Sequence, residues 1–249
     1  MKITKILLLC ILVLGLVACA SKDLGAEAYK NFSAKQILAQ GEKQLAKNNY
    51  TQSIKRFEAI DALYPFDPEA QQGEIEAIYA YYKADDYPSA LAAADRYIHL
   101  YPQGPHTDYA YYMKGLINFE RDRTWLQKVY PKNPEQLDFS NLTEAFIDFN
   151  DLIRLFPNSV YAKDAQLRMF YIRDLLAKRE LTVAQFYFSH KAYVAAANRA
   201  SNIVKHYEGS PEVKDALIIM VKSYQELGSQ KKADDTLRVL KINYPQARI

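Results

Sequence analysis

One fifteen-residue step occurs five times and constrains this chain more than any other feature. Tyr50 to Pro65 reads YTQSIKRFEAIDALYP, and the step returns from Tyr87, Leu142, Tyr193 and Gln230, closing at Pro102, Pro157, Glu208 and Pro245. Aligned on that closing position, the copies form columns. Immediately before the stop stand Tyr64, Tyr101, Phe156, Tyr207 and Tyr244. Further back come a small column (Ser53, Ala90, Ala145, Ala196, Ala233), a mixed column (Phe57, Ala94, Phe149, Ala200, Leu237) and a large one (Ile60, Tyr97, Leu152, Ile203, Leu240). Offsets of three and four residues place the columns on one face of a helix. A small residue admits a second helix closely, larger apolar residues fill the contact, and Pro ends the helix because it has no N–H to continue the ladder. The spacing therefore predicts five helices, each the second member of a helical hairpin.

Hairpins recurring at an interval of 37 residues, as from Pro65 to Pro102 and from Glu208 to Pro245, mark an array in which no unit can bury its apolar face alone. The small, aromatic and Pro columns resemble the tetratricopeptide repeat over roughly residues 33 to 245. The first helices keep part of that pattern through Gly41, Tyr81, Tyr187 and Tyr224, and lack its usual Trp. The resemblance implies an all-α fold, a right-handed α-solenoid of about five helical hairpins.

The start of the chain has a different character. Lys2 and Lys5 precede the apolar run ILLLCILVLGLVA, which is shorter than the roughly 20 residues a spanning helix needs and has the layout of a secretory signal. Leu16-Val17-Ala18-Cys19 resembles a bacterial lipobox, implying cleavage after residue 18 and a diacylglyceryl and N-acyl lipid on Cys19. An ordinary signal peptide cut near Ala20, with an incidental Cys, is the alternative. Acyl chains contribute about 0.8 kcal/mol per buried methylene, so a triply acylated terminus stays on a membrane. Ala20 stands where lipoproteins kept at the inner membrane usually carry Asp, and by that analogy the chain belongs on the periplasmic face of the cell outer membrane.

The order that follows is a signal peptide (1–18), a tether (19–32), an N-terminal half with repeats one to three (33–158) and a C-terminal half with repeats four and five (159–249). The third repeat carries an insertion at about 122–139 that includes Trp125 and two prolines. Long loops in compact arrays are often functional, although a tolerated surface insertion fits equally well. Residues 159–190 hold neither Pro nor Gly after Pro157 and read either as two helices broken near Arg179 to Thr182 or as one long helix.

No catalytic constellation stands out. The eight glycines form no phosphate loop, the four histidines have no metal-ligand spacing, and Asp85-Asp86 and Asp234-Asp235 stand at turns or early in helices, where carboxylates are solvated and suit the helix dipole. Cys10 leaves with the signal and Cys19 is acylated, so no thiol remains for a disulfide or a metal. With 32 basic and 29 acidic residues, two of the basic ones in the leader, there is no nucleic-acid footprint. A non-enzymatic binding surface is what remains, and 20 Tyr supply rings suited both to packing and to recognition.

Four strings go beyond what a generic repeat requires: YPFDPEAQQ (Tyr64 to Gln72), IYAYYKADDYPSA (Ile78 to Ala90), RDLLAKREL with VAQFYF (Arg173 to Phe188) and YVAAANRA (Tyr193 to Ala200). They resemble the BamD family of outer-membrane protein assembly lipoproteins, from lipobox to last repeat. The resemblance implies a subunit of the β-barrel assembly machinery whose C-terminal repeats dock on the POTRA domains of the barrel subunit BamA. It also implies accessory Bam lipoproteins as neighbours, and N-terminal repeats that receive unfolded outer-membrane β-barrel proteins. Carried over, Asn198 and Arg199 are the partner contact, and Tyr64, Phe66 and Tyr82 the substrate contact. Each has a plain structural alternative: Tyr64 also fills the column before the stop, and Arg199 suits an exposed helix face. A pilotin-like repeat lipoprotein for pilus or secretin assembly, or a cell-wall-associated scaffold, is the competing reading.

Overall fold

A computed structural model of the chain describes residues 25–121 and 139–249. The signal peptide, Cys19 and residues 122–138 of the insertion lie outside the described residues. Every regular element among those described is helical. A 3-10 turn at Gly25–Tyr29 precedes α1 (Ala34–Ala46), α2 (Tyr50–Leu63), α3 (Pro68–Lys83), α4 (Tyr87–Leu100), α5 (Thr107–Glu120), α6 (Phe139–Leu155), α7 (Ala162–Ser189), α8 (Tyr193–His206), α9 (Val213–Glu226) and α10 (Gln230–Asn243). The five even-numbered helices are those expected from the repeated step. Four of them start on the residue where the step starts, and α6 starts three residues early at Phe139.

Burial explains the columns. Ser53, Ala90, Ala145, Ala196 and Ala233 are fully buried or nearly so, as are Ile60, Tyr97, Leu152, Ile203 and Leu240. Each large side chain taken from water contributes about 1.5–3 kcal/mol, and the small residues let the helix backbones approach closely enough to bury it.

The turns repeat as faithfully as the helices. In every copy the N–H of the aromatic before the stop bonds the carbonyl of the large column: Tyr64 to Ile60 at 2.8 Å, Tyr101 to Tyr97 at 2.8 Å, Phe156 to Leu152 at 2.8 Å, Tyr207 to Ile203 at 3.0 Å and Tyr244 to Leu240 at 2.7 Å. The aromatic's own carbonyl then accepts from the N–H three residues on, at Asp67, Gly104, Ser159, Ser210 and Ala247. Pro disfavours helical geometry in the residue before it. Yet Tyr207, followed by Glu208, takes φ −123° and ψ 42°, close to the −128° and 60° of Tyr101 before Pro102. The hydrogen-bonded turn sets this bend, and Pro reinforces it.

Inside four hairpins a second turn recurs. Asn48, Asp85, Lys191 and Gly228 take φ between 58° and 66°, the left-handed region. The residue after each donates its N–H five residues back, from Asn49, Asp86, Ala192 and Ser229 to Gln44, Tyr81, Tyr187 and Tyr224, which closes the first helix of the hairpin. Tyr50 and Tyr87 donate their hydroxyls to the side chains of Asn48 and Asp85, at 2.9 and 3.0 Å. That bond and burial, with burial first, push the Tyr87 phenol up to about 12. Lys191 offers no acceptor, and Tyr193 instead meets Phe188 edge to face at 5.4 Å.

Two compact units emerge, divided inside α3 between Glu76 and Ala77. In the first, α1 pairs with α2 and the 3-10 turn lies against α2, where Arg56 covers the Tyr29 ring. In the second, α4 packs on α5, α5 on α6, and each later helix on its successor through α10. Stacking of consecutive helices is the helical-hairpin solenoid of tetratricopeptide type. The stretch from 159 to 190, open to two readings in the sequence, forms one helix of 28 residues, α7. It continues unbroken through Arg179 to Thr182, where buried Leu181 and Ala184 carry its apolar face onward.

Candidate functional site

The site residues read from the sequence fall into three places. Tyr64 caps α2 and donates its hydroxyl to the Phe32 carbonyl at 2.6 Å, so its polar end is engaged within the first unit and part of its ring is exposed. Phe66, two residues on, is 98% exposed at the tip of the turn held by the Asp67 N–H. An aromatic presented to water in a hydrogen-bonded turn costs hydrophobic free energy that a bound apolar partner would recover.

Tyr82 belongs to the second unit. Its hydroxyl donates to Glu120 at 2.6 Å, and its ring lies 6.4 Å from Tyr79 and 6.2 Å from Tyr87. Burial and then the Glu120 hydrogen bond push this phenol well above its ordinary value, so it stays protonated and donating. A similar pair stands between α5 and α7. Tyr112 donates to Asp164 at 2.8 Å, and burial with that bond pushes it up to about 12. Arg168 clamps Asp164 from the same helix at 2.6 Å and lies over the Phe119 ring at 5.2 Å. Rings held this way by carboxylates are fixed in orientation.

Asn198 and Arg199 are both exposed on α8. Arg199 places Nη1 at 3.3 and 3.1 Å from the two carboxylate oxygens of Glu180 on α7. Glu180 in turn lines an open cavity of about 480 Å³ with Arg179, Leu176, Tyr207 and the start of α6. Arg179 stacks over Phe139 at 4.5 Å, and burial followed by the Glu180 charge pushes the Tyr207 phenol up. Arg199 therefore presents a guanidinium held through Nη1 on a side chain that is 47% exposed. That arrangement suits a partner carboxylate.

The family model YfiO, described as "Outer membrane lipoprotein", matches residues 30–240. An outer membrane protein assembly factor BamD of Neisseria meningitidis serogroup A is 38% identical over 246 residues, covering 98% of this chain and 92% of that protein. The BamD proteins of Neisseria gonorrhoeae and Haemophilus influenzae are 37% and 32% identical, covering 98% and 97% of this chain and 92% and 91% of theirs. The chain belongs to the BamD family. BamD proteins are named for assembly, not for a reaction, and among the described residues no three His, Cys, Asp or Glu side chains gather as a metal site. None of the described helices is long and apolar enough to cross a membrane.

Two features of this BamD-family chain escaped the sequence reading. Glu180, which fixes Arg199, sits in the quoted string RDLLAKREL but pairs across nineteen positions, and only the packing of α7 on α8 brings the two together. A polar network joining Lys114, Asn118 and Asp148 links α5 to α6, with Asn118 and Asp148 thirty positions apart. The i, i+4 spacing of Lys114 and Asn118 places both on one helical face and was the available signal.

Proposed function

We propose that this chain is the lipoprotein subunit of the β-barrel assembly machinery, anchored through lipid on Cys19 to the periplasmic face of the outer membrane. Through Asn198 and Arg199 it binds the POTRA region of the barrel subunit BamA. Through Tyr64, Phe66 and Tyr82 it contacts unfolded outer-membrane β-barrel proteins, and accessory Bam lipoproteins complete the assembly. The observation that carries this reading is similarity to BamD assembly factors across 98% of the chain, leader and final repeat included. The half-held guanidinium of Arg199 and the exposed ring of Phe66 support the two contacts chemically.

The experiment is co-purification of the full chain from detergent-solubilised membranes, with titration against the POTRA region. The wild-type chain should bring down a large β-barrel protein carrying POTRA domains, and its absence overturns the assignment. Arg199→Gln should weaken POTRA binding with helical content unchanged. Glu180→Gln, which releases the guanidinium, should leave binding intact or tighter. Equal losses from both variants would show that the pair is structural. A photo-crosslinker at Phe66 should capture a peptide ending in the aromatic terminal strand of a barrel protein, and Cys19→Ser should release the chain from membranes.

A further inference from the structure

Within the second unit, α4, α5 and α6 enclose a recess of about 270 Å³ that none of the proposed contacts uses. At about nine waters' worth of liquid volume, it is smaller than the usual pocket for a drug-sized ligand and suits a single side chain. Its walls carry Asp95 from α4, Lys114 and Asn118 from α5, and Glu144 and Asp148 from α6, with Leu91 and the 54% exposed Ile147 at the sides.

Carboxylates outnumber the cations around the recess, three to two. Lys114 stands 2.7 Å from Asp95 and 3.5 Å from Asp148, and Asn118 donates its amide to Asp148 at 2.7 Å. Two carboxylates therefore meet one ammonium, and a third, Glu144, is held from the rim by Arg121 at 3.1 Å. Asn118 is 5% exposed, and its Oδ1 has no hydrogen-bond donor. Turning the amide over would set that oxygen against the Asp148 carboxylate, so the orphaned acceptor is a consequence of the network. A buried acceptor left without a donor carries its full desolvation cost. Burial also holds Asp148 above the ordinary carboxylate range, with Lys114 and Asn118 opposing that shift without cancelling it.

We propose that this recess is a docking pocket for the guanidinium of an arginine side chain on a partner protein. The point-charge position between Asp95 and Asp148 is already filled by Lys114, and a second compact ammonium beside it would be repelled. A guanidinium spreads its charge and offers five donors in a plane, enough to engage the exposed Asp95 and Glu144 carboxylates together beside the Asn118 amide. Leu91 and Ile147 provide apolar walls for its methylene stem.

The test uses the 15N-labelled full chain in detergent micelles, titrated with N-acetyl-arginine amide while the Asn118 side-chain amide is followed by NMR. Saturable movement of that resonance is expected. N-acetyl-citrulline amide, which keeps the shape and loses the charge, should leave it in place, and N-acetyl-lysine amide should bind at least about tenfold more weakly. A blocked Gly-Arg-Gly peptide should bind as well as the single residue, as an occupant presented by a polypeptide requires. Asp95→Asn lies on the exposed rim and should keep the thermal midpoint while weakening arginine binding by about tenfold. No saturable shift at Asn118, equal binding of citrulline or lysine, exclusion of the tripeptide, or unchanged affinity in Asp95→Asn would each overturn the proposal.

Discussion

The third hairpin, α5 with α6, and the fourth, α7 with α8, solve one packing problem in opposite ways. In the third, the Phe149 ring lies on Gly115, where an added Cβ would come within 2.5 Å of the ring. At the corresponding positions of the fourth stand Ala184 and Ala200, both fully buried. The large residue and the bare backbone of one hairpin become two methyls in the other, and the helix pair accommodates both. The connections differ as well. The fourth hairpin turns through Lys191 in the left-handed region, whereas the chain passes from α5 to α6 by way of residues 122–138. Pairing of the two helices therefore depends on the buried columns and not on a short turn.

Gly115→Ala should have the largest effect. Overpacking costs about 1–3 kcal/mol, and the gain in helix propensity of about 1 kcal/mol offsets part of it, leaving a loss of up to about 2 kcal/mol in urea unfolding. Adding Phe149→Leu should recover part of that loss, and strict additivity of the two changes would break the ring-on-glycine account. Ala184→Gly in the fourth hairpin should cost about 1 kcal/mol through propensity and about 0.8 kcal/mol through the lost buried methyl, with no ring to relieve. Lys191→Gly should raise stability by about 0.5–1 kcal/mol, because a left-handed residue with a Cβ is strained and Gly is not. A loss in thermal stability there would mean that the lysine side chain holds the turn in some other way.

The smallest effect separates the hairpins by pH. Burial raises the Asp148 carboxyl of the third, so the folded state holds its proton where the unfolded chain has released it. Compared with Asp148→Asn, the wild-type chain should be relatively most stable below the ordinary value near 3.8 and lose ground as pH rises through the raised folded value. Asp164, on α7, runs the other way. Burial alone would raise it, but the hydrogen bonds from Arg168 and Tyr112 outweigh burial and hold it below 3.8. Its contribution is present above that value and lost as pH falls through the lowered one. Parallel pH profiles for Asp148→Asn and Asp164→Asn would erase the distinction.

Helix starts and stops were legible because each is written by a column five times over, and burial answers the same columns. Less legible was the span from 159 to 190. A left-handed turn can be carried by Lys191 with no glycine to mark it, and neither a break nor continuity near Thr182 has a residue that signals it. The role of Tyr64 was ambiguous for a related reason: its backbone does what the aromatic does in every copy, while its hydroxyl bonds Phe32, thirty-two positions away. Contacts at that range, like Arg199 with Glu180 or Asn118 with Asp148, depend on which faces meet after stacking. The repeat specifies that helices stack and leaves open which polar side chains end up opposite one another.

At 28 residues, α7 is about 42 Å long and packs on α6, α8 and α9. A helix without a joint behaves as a stiff lever. Load applied to the neighbours of one end is delivered to those of the other, with little absorbed along the way.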